Sequence, residues 1–392
     1  MLLRNLRLID GLGAVHDGVD VRVRDGRFVE VGSGLAAEGD RALDLKGATA
    51  IPGLIDAHTH LSLDATPEAM RNATAQPHPY QALLAAGRAA ALLAQGVTTA
   101  RDVGGVGPVI FALRDAVAAG HVRGPRILAA GRWITVTGGH GWPIGVEADG
   151  VDALRRAVRA EIKAGANLVK LMVSGGVVGP GLGPHSVQFS QEEVAVAAAE
   201  AHGAGLRVAA HAHGEGSIRN AVLGGVDTVE HGAYLTEELV QEMLRRGTFL
   251  VPTLAVIQYL LEHAEEAGIR GHTAERARQL AEDHRRNVAA AHRLGVPVVV
   301  GTDMGTPYTG PDAIHREIRE LAAVGLTPME AIQAATLNAA RALGLEHDLG
   351  TVQPGRRADL VVLDGDPLAD LDATRSVRLV MQDGEFVTPV EA

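Results

Sequence analysis

The chain has 392 residues, a net charge of −11 and no cysteine, and only 3 % of its residues are aromatic. The acidic balance argues against a nucleic-acid or anionic-membrane surface, because both need a basic patch. Without cysteine the chain has neither a disulfide nor a thiolate ligand, so any metal must be held by His, Asp, Glu or a modified side chain.

The first 52 residues are predicted to form a small β unit. The segments LLRNLRLID, GVDVRVRDGRFVEVG and ALDLKGATAIPG alternate apolar and polar residues and contain an Asp-Gly turn. The N-terminus has no apolar core of signal-peptide length, and no run of about 18 apolar residues occurs in the sequence. We therefore expect a cytoplasmic protein without a membrane partner.

Residues 53–342 alternate short apolar strands with helical segments, the clearest of which are 80–95, 151–164, 190–205 and 272–294. The eight predicted strands are LIDAH, GVTTARDV, PRILAAG, NLVKLMV, LRVAAH, VDTVEH, TFLVPT and PVVVGTD. This alternation predicts an α/β fold, a (β/α)8 TIM barrel. An open doubly wound sheet is the alternative, but no GxGxxG follows an early strand to support it.

The last segment, residues 343–392, repeats the character of the first. It contains apolar runs such as ADLVVLD and VRLVMQ, and an Asp-Gly turn. Two β-rich ends that flank a different middle are expected to meet. We predict a small β-sandwich domain formed by both chain ends beside the barrel.

Lys170 lies inside the fourth predicted strand, between apolar neighbours. Only three of the 36 basic residues are lysines, which leaves 33 arginines. A lysine retained in such a strand indicates chemistry that a guanidinium cannot do, namely loss of a proton and reaction as an amine. The alternative is a lysine that snorkels from the strand end.

Polar side chains also mark the C-terminal ends of the predicted strands, where (β/α)8 barrels carry their chemistry. They are His58, His60, His211, His231 and Asp303. His58 and His60 form an HxH pair, and residues two apart on a strand point to the same side, so both can bind one ion. Each residue alone is more often structural, but together with Lys170 they predict a metal site.

With these motifs in place, the chain resembles the amidohydrolase superfamily over nearly its full length. The matching segments, in order, are GLIDAHTHL, VKLMVSGG, AHAHG, VEHG, GTD, TLNAARALGL and GxxxxGRRADLVVLD. The resemblance is to the branch of binuclear-zinc dipeptidases of the Xaa-Pro and Xaa-Arg kind and ochratoxin-type amidases, whose fourth strand carries a lysine in a KxxxSGG context. The imidazolonepropionase branch is similar but lacks that lysine.

The resemblance implies two zinc ions per chain, or other divalent ions, bridged by a carbamate that Lys170 forms with CO2. Burial favours the neutral, nucleophilic amine, and two cations stabilise the anionic product. The implied ligands of the more buried ion are His58, His60 and Asp303, and those of the other are His211 and His231.

Three further residues are assigned to substrate. AHAHG offers His213 as well as His211. We prefer His211 as the ligand because it directly ends the apolar run, and give His213 a substrate-binding role. Tyr234 is placed to donate a hydrogen bond to a developing oxyanion, or is an ordinary amphipathic tyrosine. The resemblance favours His140, in the loop TVTGGHGWP, as a ligand for a substrate carboxylate; a plain loop histidine is the alternative.

The implied reaction is hydrolysis of an amide bond in a small-molecule substrate. Two zinc ions that share a water supply hydroxide near neutral pH, and Asp303 serves as general base and then general acid. We expect a dipeptidase, with Xaa-Pro substrates among the candidates, or an N-acyl-amino-acid hydrolase. The alternatives are hydrolysis of cyclic amides or lactones, as in imidazolonepropionase, and a non-catalytic scaffold, which would lack ligands. Family members are often multimeric, which leaves a homo-oligomer open.

Other polar residues receive structural roles. Arg101 and Asp102 are predicted to form an ion pair that lines the barrel. Histidines on charged helical or loop segments are predicted to be solvated, namely His263, His272, His284, His292, His315 and His347. Substrate specificity is assigned to three Gly- and Pro-rich loops, 139–150, 177–190 and 304–312. These loops lack an obvious acidic partner for a basic side chain, which favours apolar or proline leaving residues.

Overall fold

The computed structural model describes residues 1–177, 183–267 and 269–387, without the side chains of residues 272 and 273. The strands are β1 (Leu2–Ile9), β2 (Val15–Arg24), β3 (Arg27–Gly32), β4 (Ala42–Asp44), β5 (Thr49–Pro52), β6 (Leu54–Thr59), β7 (Val97–Asp102), β8 (Arg126–Ala129), β9 (Ile134–Thr135), β10 (Val146–Glu147), β11 (Leu168–Met172), β12 (Arg207–Ala212), β13 (Thr228–His231), β14 (Phe249–Val251), β15 (Leu360–Leu363), β16 (Val377–Gln382) and β17 (Glu385–Phe386). The helices are α1 (Ala69–Ala75), α2 (His78–Ala94), α3 (Gly107–Ala118), α4 (Val151–Ala164), α5 (Gln191–Gly203), α6 (Glu215–Gly224), α7 (Glu237–Arg246), α8 (Leu254–Glu262), α9 (His272–Arg293), α10 (Ala313–Ala323), α11 (Pro328–Ala334) and α12 (Leu337–Leu343), with a 3-10 turn at Leu371–Arg375.

Strands from both chain ends form one eight-stranded mixed sheet. Its order is β17-β16-β15-β5-β1-β2-β3, with β4 paired to β1. The C-terminal strand β15 lies antiparallel to β5, which runs parallel to β1. Apolar side chains of this sheet, among them Leu6, Phe28 and Leu360, form a core cluster of their own. The prediction that the two ends meet in one β unit is confirmed.

The middle of the chain alternates parallel strands with helices, as the apolar runs predicted. Strands β6, β7 and β8 form one parallel sheet, and the order β10-β9-β11-β12-β13-β14 forms a second. The segment 297–300 hydrogen-bonds to both β14 and β6, and Val298 forms an isolated bridge with Leu250. At the opposite side, the backbone N–H of Asn167 donates to the carbonyl of Ala129 at 2.8 Å. Backbone hydrogen bonds therefore connect the two sheets on both sides.

Local signals in the sequence set the helix boundaries. Ser190 and Glu193 form a capping box that starts α5. Gly165 and Gly225 take left-handed conformations just after α4 and α6, where a residue without Cβ is favoured. The short connections that result place the C-terminal ends of the parallel strands at one edge. Among the described residues, no helix is long and apolar enough to cross a membrane.

Candidate metal centre

Histidine and aspartate side chains from several strand ends converge at this edge. The possible ligand atoms of His211, His213 and His231 lie within 4.8 Å of one another, and so do those of His58, His231 and Asp303. The histidines of both groups are buried. Because His231 belongs to both groups, they adjoin in space and either one has the donor set of a divalent-metal site.

The histidines around Asp303, which are His58 and His60, are each oriented by polar contacts at both ring nitrogens. The Nε2 atoms of His58 and His60 lie 3.3 and 3.1 Å from Oδ1 of Asp303. Nδ1 of His60 donates to the carbonyl of Gly104 at 2.6 Å. Burial alone would raise the pKa of Asp303, but the two histidines hold it well below its ordinary value. The carboxylate is therefore ionised and can accept a proton or bind a cation.

The group of His211, His213 and His231 consists of three neutral imidazoles in mutual contact. The rings of His213 and His231 are stacked with centroids 4.6 Å apart, and His211 lies 4.6 Å from His231. Burial holds the pKa of all three well below the usual value, so their lone pairs are available near neutral pH. Nδ1 of His213 is buried without a hydrogen-bond partner among the described residues. An unpartnered buried nitrogen of this kind fits a ligand to a cation.

Lys170 lies on the same side of the sheet as His211. It pairs with Ala209 across β11 and β12, and residues 209 and 211 point to the same side of a strand. The side chain is 1 % exposed, and among the described residues no hydrogen bond or ion pair reaches its ammonium. Burial lowers its pKa to about 8, against the attraction of Glu230 and Asp303. The structure therefore contradicts a lysine that snorkels into solvent.

The residues predicted to bind substrate lie around this centre. The ring of His140 lies 4.5 Å from that of His211, and burial lowers its pKa to about 4. Tyr234 is partly buried, and its backbone N–H donates to the carbonyl of His213 at 2.9 Å. The ring of His185, which sequence reasoning had not singled out, contacts the ring of Tyr234 in a tilted arrangement with centroids 4.3 Å apart.

The predicted specificity loops are seen in part. Residues 178–182 of the loop 177–190 lie outside the described residues. In the loop 304–312, Tyr308 stacks on His263 with ring centroids 4.4 Å apart. In the loop 139–150, the ring nitrogen of Trp133 donates to the carbonyl of Gly141 at 2.9 Å. The loops 139–150 and 304–312 are therefore each in contact with residues outside the loop.

The predicted ion pair between Arg101 and Asp102 is wrong. Arg101 instead pairs with Glu230, whose Oε1 lies 2.8 Å from Nη2 of the guanidinium. Asp102 accepts hydrogen bonds from the backbone N–H groups of Leu61 and Gly104. Adjacent residues on a strand point to opposite sides, so the two side chains do not meet. Arg101 reaches Glu230 on β13, whereas Asp102 binds backbone N–H groups that follow β6 and β7. The signal for this missed residue was a glutamate inside the predicted strand VDTVEH.

The prediction of solvated outer histidines is wrong for two of them. His284 and His315 are 1 % and 2 % exposed. Nε2 of His284 hydrogen-bonds the carbonyl of His231 at 2.8 Å, and His315 contacts the side-chain oxygen of Gln95. Both lie on the inner faces of charged helices, so helix composition was a poor guide to their exposure. His347 is exposed and His263 and His292 are partly exposed; the side chain of His272 lies outside the described residues.

Comparison with known proteins places the chain in a family. The model of the amidohydrolase family matches residues 49–387, and the chain belongs to that family. The ochratoxinase of Aspergillus niger is 33 % identical over 359 residues, covering 84 % of this chain and 73 % of that protein. The imidazolonepropionase of Sphingopyxis alaskensis is 29 % identical over 399 residues, covering 91 % and 89 %. The crystal structure of a Xaa-Pro dipeptidase with methionine in its active site superposes with a TM-score of 0.90 at 31 % identity, covering 99 % of both chains.

Proposed function

We propose that the protein is a metal-dependent hydrolase that cleaves the amide bond of dipeptides or N-acyl amino acids with a free C-terminal carboxylate. The observation that carries this proposal is Lys170, a buried lysine without a described partner beside a cluster of neutral imidazoles and one carboxylate. The similarity to a Xaa-Pro dipeptidase and to ochratoxinase supports the same reaction class.

The proposed scaffold is a closed (β/α)8 barrel formed by residues 53–342. Its support is the segment 297–300, which hydrogen-bonds to β14 and to β6, and the contact of Asn167 with Ala129 at the other side. These contacts supply the two joints that a ring of eight strands requires. Residues 1–52 and 343–392 are then proposed to form the small β domain beside the barrel, in which the described strands of both ends belong to one mixed sheet and not to the two packed sheets of a β-sandwich.

The proposed metal site holds two zinc ions per chain. The chemistry of the donor set fits, because it consists of neutral imidazoles, one ionised carboxylate and an amine whose lowered pKa favours carbamate formation. The residues that would hold the ions are His58, His60, Lys170, His211, His231 and Asp303. His213 is the remaining alternative to His211, because its Nδ1 is buried and unpartnered among the described residues.

When bound, the two ions would supply a hydroxide near neutral pH and polarise the substrate carbonyl. The protein's own contribution to proton transfer is Asp303. Its pKa lies well below the usual value, so the ionised carboxylate is ready to accept the proton of the attacking water and deliver it to the leaving amine.

Substrate binding is assigned to His140, His213 and Tyr234. With a pKa near 4, His140 is neutral at pH 7 and binds a substrate carboxylate through an N–H hydrogen bond, not an ion pair. The phenol of Tyr234 is protonated at neutral pH, because burial raises its pKa further, and it can donate to an oxyanion. His140 and Tyr234 are thus both uncharged and offer no ion pair to a charged side chain, which agrees with an apolar or proline leaving residue.

The test is hydrolysis by zinc-loaded, bicarbonate-treated protein of Xaa-Pro, Xaa-Arg and Xaa-hydrophobic dipeptides and N-acyl amino acids. Released amino acid is detected with ninhydrin, and Lys163→Ala, which alters an exposed lysine, serves as the control for Lys170→Ala. The proposal predicts turnover by wild type and Lys163→Ala only. No turnover across the library by zinc-loaded protein would contradict it and favour cyclic amides or lactones.

A further inference from the structure

Glu230 is a fully buried carboxylate that the proposed reaction does not use. Its Oε2 lies 2.7 Å from Nδ1 of His58, and its two oxygens lie 2.8 and 3.0 Å from Nη2 of Arg101. The hydroxyl of Thr228 also donates to it. A charged group that is removed from water needs such partners. Arg101 and Thr228 hold the carboxylate in the position where it contacts His58.

The backbone of β13 is bent so that Glu230 and His231 both serve the same site. Consecutive strand residues normally point to opposite sides. His231 has a φ of +70°, a left-handed value that is uncommon for residues other than glycine. Its ring lies 5.2 Å from the ring of His58, which Glu230 contacts as well. The strained residue thus brings two neighbours in sequence against one imidazole.

Arg101 fixes the carboxylate in place. Its Nη1 donates to the hydroxyl of Thr228 at 2.9 Å, and its Nε donates to the carbonyl of Ala57, the residue before His58. Glu230 is therefore anchored to β7 and to the strand that carries the histidine. Because the guanidinium is a permanent cation, its carboxylate partner is ionised and can only accept hydrogen bonds.

An acceptor at Nδ1 decides which nitrogen of His58 carries the proton. Because Glu230 can only accept, Nδ1 carries a proton, and Nε2 is the nitrogen that faces Asp303 at 3.3 Å and would bind a cation through its lone pair. His60 and His231 make similar contacts through Nδ1, but with a backbone carbonyl and the Thr253 hydroxyl. Among these three rings, His58 alone has a charged acceptor at Nδ1.

We propose that Glu230, held by Arg101, is a positioning residue that fixes the Nδ1–H tautomer of His58 and so presents Nε2 to the metal centre. This inference rests on the proposed function only in taking His58 as a metal ligand. Partners of this kind orient a ligating imidazole and strengthen it as a donor, and their loss costs about 10–100-fold in metal affinity.

The test variant is Glu230→Gln, whose amide can face Nδ1 of His58 with either its oxygen or its NH2 group. Since this variant leaves Arg101 without a counter-charge, the double variant Arg101→Met/Glu230→Gln is made alongside it to keep a foldable form. The matched control is Glu161→Gln, which alters another buried glutamate; it pairs with Arg132, and no described histidine hydrogen-bonds or pairs with it.

Two readouts are taken at one pH: the ¹⁵N chemical shifts of the His58 ring in metal-free protein, and zinc affinity in competition with a chelator. We expect wild type and Glu161→Gln to show Nδ1 of His58 protonated throughout. Both Glu230 variants should show mixed tautomers and bind zinc about 10–100-fold more weakly. An unchanged tautomer, or unchanged zinc affinity, in both Glu230 variants would overturn the inference. Dipeptide turnover by wild type is scored separately, so its absence would count against the proposed function and leave this result standing.

Discussion

Carbamylation of Lys170 is the step on which the proposed metal site depends, and the structure gives it a magnitude. CO2 reacts with the neutral amine only. With its pKa lowered to about 8, about 10 % of Lys170 is neutral at pH 7, against about 0.03 % for a lysine at 10.5. The reactive fraction is therefore about 300-fold larger than at an ordinary lysine.

The perturbation is Lys170→Ala, with Lys163→Ala as the matched control because Lys163 is exposed in the last turn of α4. Protein treated with ¹³C-bicarbonate is examined by ¹³C NMR for a carbamate carbon, and its zinc content is measured. In the metal-free protein the signal should grow as pH rises through about 8, the pKa at which the amine loses its proton. Lys170→Ala should lose the signal and most of the zinc and activity, with partial recovery of activity in a short carboxylate.

Three results would contradict carbamate formation at Lys170. The first is a carbamate signal that persists in Lys170→Ala, and the second is one that disappears in Lys163→Ala. The third is full activity of Lys170→Ala without any added carboxylate. Each would show that the buried amine is not the source of a bridging anion.

Three further predictions concern other positions. A Cβ on Gly176 would lie 2.2 Å from the ring of His140. Gly176→Ala should therefore displace that ring and raise KM for carboxylate substrates about 10-fold or more at unchanged zinc content. The control is Gly183→Ala, whose Cβ meets nothing within 4 Å and which should match wild type in steady-state kinetics. Tyr234→Phe should lower kcat by about 100-fold with KM and zinc content retained, and an unchanged kcat would remove the phenol from the reaction. Burial raises the pKa of Glu317 from 4.5 to about 8. An acid whose folded pKa is raised binds its proton more tightly when folded, so stability falls as pH rises from about 4.5 to 8. Glu317→Gln should flatten that fall by about 5 kcal/mol at most in urea unfolding of metal-free protein, and an identical pH profile would contradict the assignment.

Residues that end apolar runs could be predicted from the sequence because their position follows from local pattern. His58, Lys170 and His211 each end or interrupt a run of buried residues, and parallel strands bring such ends to one edge. The partner of Arg101 could not be predicted in this way. Glu230 is 129 residues away along the chain, and the pair forms only when β7 and β13 face each other across the site.

The exposure of helical histidines was misjudged for a related reason. His284 and His315 are surrounded in sequence by Glu and Arg, which indicates a solvated helix. Such a helix still has an inner face, and both residues lie on it. Pattern locates that face only to within a residue or two, whereas burial of a single imidazole depends on the element packed against it.

A zinc titration tests directly whether hydrolysis needs two zinc ions per chain. Metal-free, bicarbonate-treated protein is titrated, and bound zinc per chain and Xaa-Pro dipeptide hydrolysis are measured in the same samples. A hydrolase that uses two zinc ions should show no hydrolysis without metal and maximal hydrolysis at two zinc ions per chain. Hydrolysis by the metal-free protein, or a maximum at one ion per chain, would contradict a two-zinc mechanism.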